Sequence, residues 1–281
     1  MKKVFLFAIA ALMSASMFAA NITVAEAITI GEALDDGAST TDDYTVEGYC
    51  VKLVAAYDAN FGNQSFYMDA NKDADPSLKT YKFEVFRGKT DKEVLPQSKV
   101  TITGKIMKYV SKSGTVTIEI SSGQLAVLEE GVAIEVIDVA KALEIGNALA
   151  DNGSTNKYYT VQGYAAKAYP ADEGYTSQNI YMADDYGVKG DFYAFRAEPG
   201  KDNTISDGDF IAVTGLIIKY VASGKDPVVE ISGGFCKKVE EPQAINNVNA
   251  QSVKAMKVVE NGQLFIIRNG VKYNAAGAIV K

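Results

Sequence analysis

Residues 23–52 read TVAEAITIGEALDDGASTTDDYTVEGYCVK, and residues 138–167 read DVAKALEIGNALADNGSTNKYYTVQGYAAK. At a constant offset of 115, 16 of the 30 positions are identical, among them Val24, Ala27, Gly31, Leu34, Tyr44, Val46, Gly48 and Lys52. The likeness continues downstream. Tyr67-Met68 returns as Tyr181-Met182 and Phe86-Arg87 as Phe195-Arg196. TGKIMKYVSKSG (103–114) is answered by TGLIIKYVASGK (214–225), and EISSG (119–123) by EISGG (230–234), now at an offset of 111. Only the middle loops differ in length. The chain is therefore a tandem duplication with units of ~110 residues.

Each copy opens on a short helix. Thr23 with Glu26 three residues on makes a capping box, and Asp138 caps the second copy. Val24, Ala27, Ile28, Gly31 and Leu34 form one apolar face at helical spacing, and Gly31 and Gly146 on that face predict close packing on a sheet. Gly37 and Gly153 are the expected helix ends. Alternating, β-branched and aromatic stretches then predict five strands per copy. They fall at about 44–56, 64–70, 80–87, 99–110 and 115–127, with counterparts at 159–169, 178–184, 191–197, 209–221 and 228–238. Long first, fourth and fifth members suggest a five-stranded Greek-key barrel in each copy.

YTVEGY, SDGDFIAVTGLIIKY and the closing VEISGG resemble the OB-fold-like domains of exported Bacteroidetes proteins. The resemblance covers both copies. In the usual OB-fold a helix lies between strands three and four; here that gap is polar loop and the helix precedes strand one. The expected fold is mainly β: two tandem OB-fold-like barrels, each preceded by a short helix, plus a small C-terminal β-meander. The divisions are 1–20, a signal peptide; 21–130 and 131–241, the two repeats; 242–257, a linker; and 258–281, the tail.

The signal peptide rests on Lys2-Lys3, the apolar run 4–13 and the small residues after it. That run is too short to span a bilayer, which takes roughly 20 residues. Cleavage after Ala27 would remove Val24 and Ala25, which the second copy retains as Val139 and Ala140, so processing is expected before about residue 21. An exported protein, at the cell surface or in the medium, or alternatively periplasmic, follows.

Composition excludes much chemistry. With no histidine, His-based triads and His-ligated zinc are ruled out, and two cysteines are too few for a four-Cys zinc site. Cys50 and Cys236 stand where the other copy has Ala165 and Leu125, which favours buried packing; a disulfide between repeats is the alternative. No P-loop or nucleophile elbow is present, so no catalytic residue, cofactor or metal is assigned. Asp69, Asn71, Asp73 and Asp75 are spaced like the start of an EF-hand loop, yet Ala74 stands at the glycine position and Thr80 at that of the closing glutamate. A solvated turn is the simpler reading.

The resemblance points to strands two and three, where OB-folds bind oligonucleotides or sugars. The candidate ligand residues are Tyr67, Tyr81, Phe86, Arg87, Tyr109, Tyr181, Tyr193, Phe195, Arg196 and Tyr220. Aromatic rings with arginine suit stacking, though strand alternation sends about half of such residues to the core. The paired Phe-Arg motifs have a second reading as barrel closure. Glu119 and Glu230 recur in strand five, either as functional carboxylates or as ordinary outward positions. Residues 21–130 hold 17 acidic and 11 basic side chains, and residues 131–241 hold 17 and 10. An acidic body disfavours a phosphate polymer. The expected partner is a glycan or a surface protein. A single-stranded nucleic acid is the alternative by OB-fold analogy, and a structural spacer is a third class.

The tail inverts the charge, with one acid and five bases over residues 242–281. Its Asn-Gly pairs at 261–262 and 269–270 separate short apolar runs, a hairpin signal. NGQLFIIRNGVKYNAAGAIVK resembles the C-terminal sorting tails that Bacteroidetes exported proteins present to the type IX secretion system. The resemblance implies the export machinery as a partner; docking on the acidic repeats is the plainer alternative.

Overall fold

The helix start is built as its sequence requires. In the computed structural model, which describes residues 19–78, 81–200, 203–241, 256–260, 263–268, 271–274 and 280, Thr23 and Glu26 exchange both capping-box bonds. Helix α1 runs Val24–Glu32 and its copy α2 runs Val139–Asn147, capped by Asp138. Both end on an αR alanine, Ala33 or Ala148, several residues before the expected glycines. The left-handed residues that follow are Gly37 (φ 79°) and, at the matching position, Asn152 (φ 58°), not Gly153. Each donates its N–H to a lysine carbonyl, that of Lys108 or Lys219, so these residues make a turn against a strand and do not end the helix.

A short strand precedes each helix, which the sequence reading did not foresee: β1, Ala20–Thr23, and β9, Glu135–Asp138. The first repeat continues with β2 (Tyr44–Asp58), β3 (Asn63–Asp69), β4 (Phe83–Lys89), β5 (Lys99–Gly104), β6 (Ile106–Val110), β7 (Val116–Ser121) and β8 (Gln124–Glu129). The second has β10 (Tyr159–Ala168), β11 (Gln178–Ala183), β12 (Phe192–Ala197), β13 (Phe210–Gly215), β14 (Ile217–Tyr220), β15 (Val228–Ser232) and β16 (Phe235–Lys238). The predicted long strands four and five are each broken in two. The break in strand five is the EIS-Ser/Gly-Gly motif, where Ser122 (φ 56°) or Gly233 (φ 67°) turns left-handed. It lets β7 pair with β4 and β6 while β8 pairs with β5.

The pairings in repeat 1 return to their start: β2 with β3, β3 with β4, β4 with β8, β8 with β5, and β5 with β2. Repeat 2 follows the same path, with Glu198 bridging to Phe235. The Phe-Arg motifs sit at the corner. Arg87 (φ 52°) and Arg196 (φ 49°) are left-handed, an uncommon conformation for arginine. Ser122 N–H donates to the Phe86 carbonyl and Gly233 N–H to that of Phe195, both at 2.8 Å. The motifs therefore hold the ends of β4 and β12 to the turns that follow β7 and β15.

Each repeat has its own core. Phe66, Met68, Phe83, Ile102, Ile106, Ile118 and Ile120 fill the first, and Ile180, Met182, Phe192, Ile211, Ile217 and Ile231 the second. Cys50 lies in one core and Cys236 in the other, both free thiols, so the disulfide alternative is overturned. Burial raises both thiols, that of Cys236 to about 12, which keeps them protonated and unreactive.

The repeats also share an anchor. Tyr158 belongs to repeat 2 by sequence but is packed into the core of repeat 1, with Ile134, Leu216 and Phe235 partly buried against the same cluster. Its hydroxyl accepts the N–H of Leu53 at 3.0 Å. The connection between repeats is pinned as well. Gly131 donates to Ser98 Oγ, and a Cβ there would lie 2.0 Å from the Pro96 carbonyl oxygen.

The chain divides into two compact units, the first ending at Val239 and the second beginning at Glu240. In the second, β17 (Met256–Glu260), β18 (Gln263–Arg268) and β19 (Val271–Asn274) form an antiparallel three-stranded sheet, as the apolar runs predicted. Lys272 Nζ lies 4.3 Å from the centroid of the Phe265 ring. The signal-peptide reading at 1–18, the linker residues 242–255 and the two Asn-Gly pairs lie outside the described residues. Among the described residues no helix is long and apolar enough to cross a membrane.

Candidate ligand-binding face

Strand alternation sorts the predicted residues. Phe66 and Met68 on β3, Phe83 and Val85 on β4, and Ile118 and Ile120 on β7 are all buried inward. The intervening residues point the other way. Register then aligns them across the sheet. Lys52, Tyr67, Glu84, Glu119 and Met107 are successive cross-strand partners in repeat 1. Lys167, Tyr181, Tyr193, Glu230 and Ile218 form the same row in repeat 2. The two rows differ in chemistry at the middle, where Glu84 answers to Tyr193.

In repeat 2 the face is aromatic. Tyr181 and Tyr193 are stacked, with centroids 4.6 Å apart and planes 25° apart. Tyr169 joins Tyr181 edge-on at 6.3 Å, and Phe195 lies 5.8 Å from Tyr193. The Arg196 guanidinium sits 5.1 Å from the centre of the Phe195 ring. Four rings and a cation thus form one continuous surface strip. Tyr169 was missed from sequence because no repeat partner marked it: Val54 stands at the matching position.

In repeat 1 the strip is shorter. Tyr67 and Tyr81 are near-parallel at 6.1 Å, and the Tyr81 hydroxyl donates to the Asp75 carbonyl at 2.6 Å. Arg87 lies over Phe86 at 5.1 Å. The backbone N–H of each corner arginine is held by a side chain, Ser65 Oγ for Arg87 and Asn179 Oδ1 for Arg196. Tyr109 and Tyr220 are exposed on β6 and β14, and no ring contact joins them to the strips among the described residues.

The residues that sequence reasoning undervalued are the acids. Glu84, Glu119 and Glu230 are only 8%, 6% and 7% exposed. Burial, then the neighbouring Glu119, pushes Glu84 up to about 7, while a hydrogen bond from the Tyr67 hydroxyl acts against the rise. Burial alone raises Glu119 and Glu230. The partner of Glu119 is thus Glu84, a pairing that only the parallel β4–β7 register reveals.

These shifts fix a pH dependence. Glu84 has a folded-state pKa above its ordinary 4.5, so the folded protein holds more protons than the unfolded chain between about 4.5 and 7. Stability falls as pH rises through that window. Urea unfolding at pH 5 and pH 8 is expected to show a loss on the order of 1–2 kcal/mol, which Glu84→Gln largely removes. Equal pH dependence in the variant would mean that other groups carry it.

The EF-hand spacing is used for turns. Asp69, Asn71 and Asp75 each accept a backbone N–H two residues on, and among the described residues no cluster of three potential ligands is present. A cleft of about 270 Å³ lies between the repeats around Tyr158, lined by residues such as Val51, Pro96, Val132 and Lys157. Lys72, Gln97, Glu135 and Asn156 also line it. No family model matches the chain, and no curated protein is significantly similar to it.

Proposed function

We propose that this is an exported, non-catalytic glycan-binding protein, built from two OB-fold-like barrels that each present an outer face to ligand. The strip of Tyr169, Tyr181, Tyr193 and Phe195 carries the reading. Contiguous rings on a sheet surface suit the apolar faces of successive sugar rings, and Glu230 supplies an acceptor for hydroxyls beside them. The body is acidic, which opposes a phosphate backbone. The corner arginines add planar donors at the end of each strip.

A glycan array probed with the full chain tests this. Binding of neutral oligosaccharides is expected, and Tyr181→Ala with Tyr193→Ala should weaken it roughly 10- to 100-fold, since stacking on one ring is worth about 1–3 kcal/mol. A blank array, or tight binding of a single-stranded oligonucleotide that both changes abolish, would overturn the glycan reading.

The tail is the sorting element in this reading. Its three strands form a unit apart from the repeats and carry the opposite charge balance. Deleting residues 258–281 is expected to leave the thermal transition of the repeats unchanged and to trap the protein inside the cell envelope. Normal appearance of the truncated protein outside the cell would refute a sorting role.

A further inference from the structure

The two faces are built on one plan, so their differences are informative. Repeat 2 places Tyr193 beside Glu230; repeat 1 places Glu84 beside Glu119, two acids adjacent across a parallel strand pair. Neither Glu84 nor Glu119 forms an ion pair among the described residues. Among the described residues Glu84 receives only the Tyr67 hydroxyl, which also takes a hydrogen bond from Thr117. Glu119 is 6% exposed and has no hydrogen-bond partner among the described residues. Every fully covered side-chain polar atom among the described residues is paired. The unpaired oxygens of Glu119 must therefore open onto the face, beside the Tyr67–Tyr81 ring pair.

A largely buried carboxyl without a protein donor is costly to ionise, and a second acid beside it adds repulsion. A ligand that brings a cation relieves both. An alkyl chain carrying the cation would leave the parallel rings of Tyr67 and Tyr81 idle, whereas a pyranose covers them. We propose that the face of repeat 1 binds an amino-sugar unit, its ammonium group against Glu84 and Glu119 and its ring on Tyr67 and Tyr81. Repeat 2, with Tyr193 in place of the second acid, takes neutral sugar at the equivalent position. The two repeats then read different units of a mixed glycan. Lys52 stands at the far end of the repeat 1 row, across Tyr67 from the acids, and its ammonium donates to the Leu78 carbonyl at 2.9 Å.

This inference rests on reading the outer faces as ligand faces, and the experiment separates the two. Full-length protein carrying Tyr181→Ala and Tyr193→Ala, which silences repeat 2, is titrated at about pH 6.5 with glucosamine oligomers and with their N-acetylated counterparts. The glucosamine oligomer is expected to bind at least about tenfold tighter. Adding Glu84→Gln and Glu119→Gln should abolish that preference. On otherwise native protein, Tyr193→Glu should create a second glucosamine-preferring site, a gain that no loss of folding can mimic. Equal binding of the two oligomers, or a preference that survives the double glutamine change, overturns the proposal. Displacement of the sugar by a lysine hexapeptide at equal concentration would also overturn it, in favour of a protein ligand. Absence of neutral-sugar binding by the native protein, with this preference intact, would count only against the neutral-sugar reading of repeat 2.

Discussion

Tyr158→Ala is expected to cost about 4–8 kcal/mol and to split one cooperative unfolding transition into two. The tyrosine is 8% exposed and sits in the core of the neighbouring repeat. Its removal leaves a large cavity, which for a buried aromatic costs about 3–5 kcal/mol by itself. It also orphans the Leu53 N–H, which lies in a part of β2 where the register against β3 shifts. A buried donor left unpaired costs about 1–3 kcal/mol. Tyr158→Phe separates the terms: it keeps the ring and loses only the acceptor, with an expected cost of about 1–2 kcal/mol. Calorimetry and urea unfolding read both. A single transition with stability within about 1 kcal/mol of the parent would show that the repeats do not depend on this anchor.

Gly146→Val is the second large effect. An ideal Cβ at Gly146 would lie 2.2 Å from Val229 Cγ1 and 2.9 Å from its Cγ2, and at Gly31 it would lie 2.3 Å from Ile118 Cγ2. Both target side chains are inward residues of the fifth strand, buried in their cores and not free to swing away. The helix must lift, which separates Val139 and Ala142 from the sheet they cover. Overpacking of this kind costs typically about 1–3 kcal/mol, and the loss of helix contact adds to it. Gly31→Val should behave alike, because the helix–sheet approach is the same in both copies. Glycine is otherwise a poor helix residue, so a conformationally permitted Gly→Ala would normally stabilise by up to about 1 kcal/mol. A Gly146→Ala variant more stable than the parent would mean that Val229 yields easily.

The duplication made the architecture legible. A helix cap, an apolar helical face and five alternating strands occur twice, and agreement between the copies distinguishes a structural position from an accidental one. Tyr67 and Tyr181 were marked by the same agreement, whereas Tyr193 answers to Glu84 and repetition did not mark it. Tyr158 was not readable. Its counterpart is Asp43, an exposed turn residue, so the comparison that revealed everything else concealed it. An anchor between repeats cannot be internally symmetric, since only one copy reaches into the other.

The sequence by itself determined which residues alternate and that the pattern occurs twice, because periodicity and repetition are local properties of the chain. Tertiary structure alone decided the partnerships. Strand order places Glu84 against Glu119 across 35 positions of sequence, and places Tyr193 against Glu230 across 37. Parallel pairing of strands three and five is a long-range event, set by the closing path of the sheet and the two left-handed corners, so no short stretch of sequence encodes it. The charge of Glu84 is decided in the same way, by burial and by a neighbour that only the folded chain supplies.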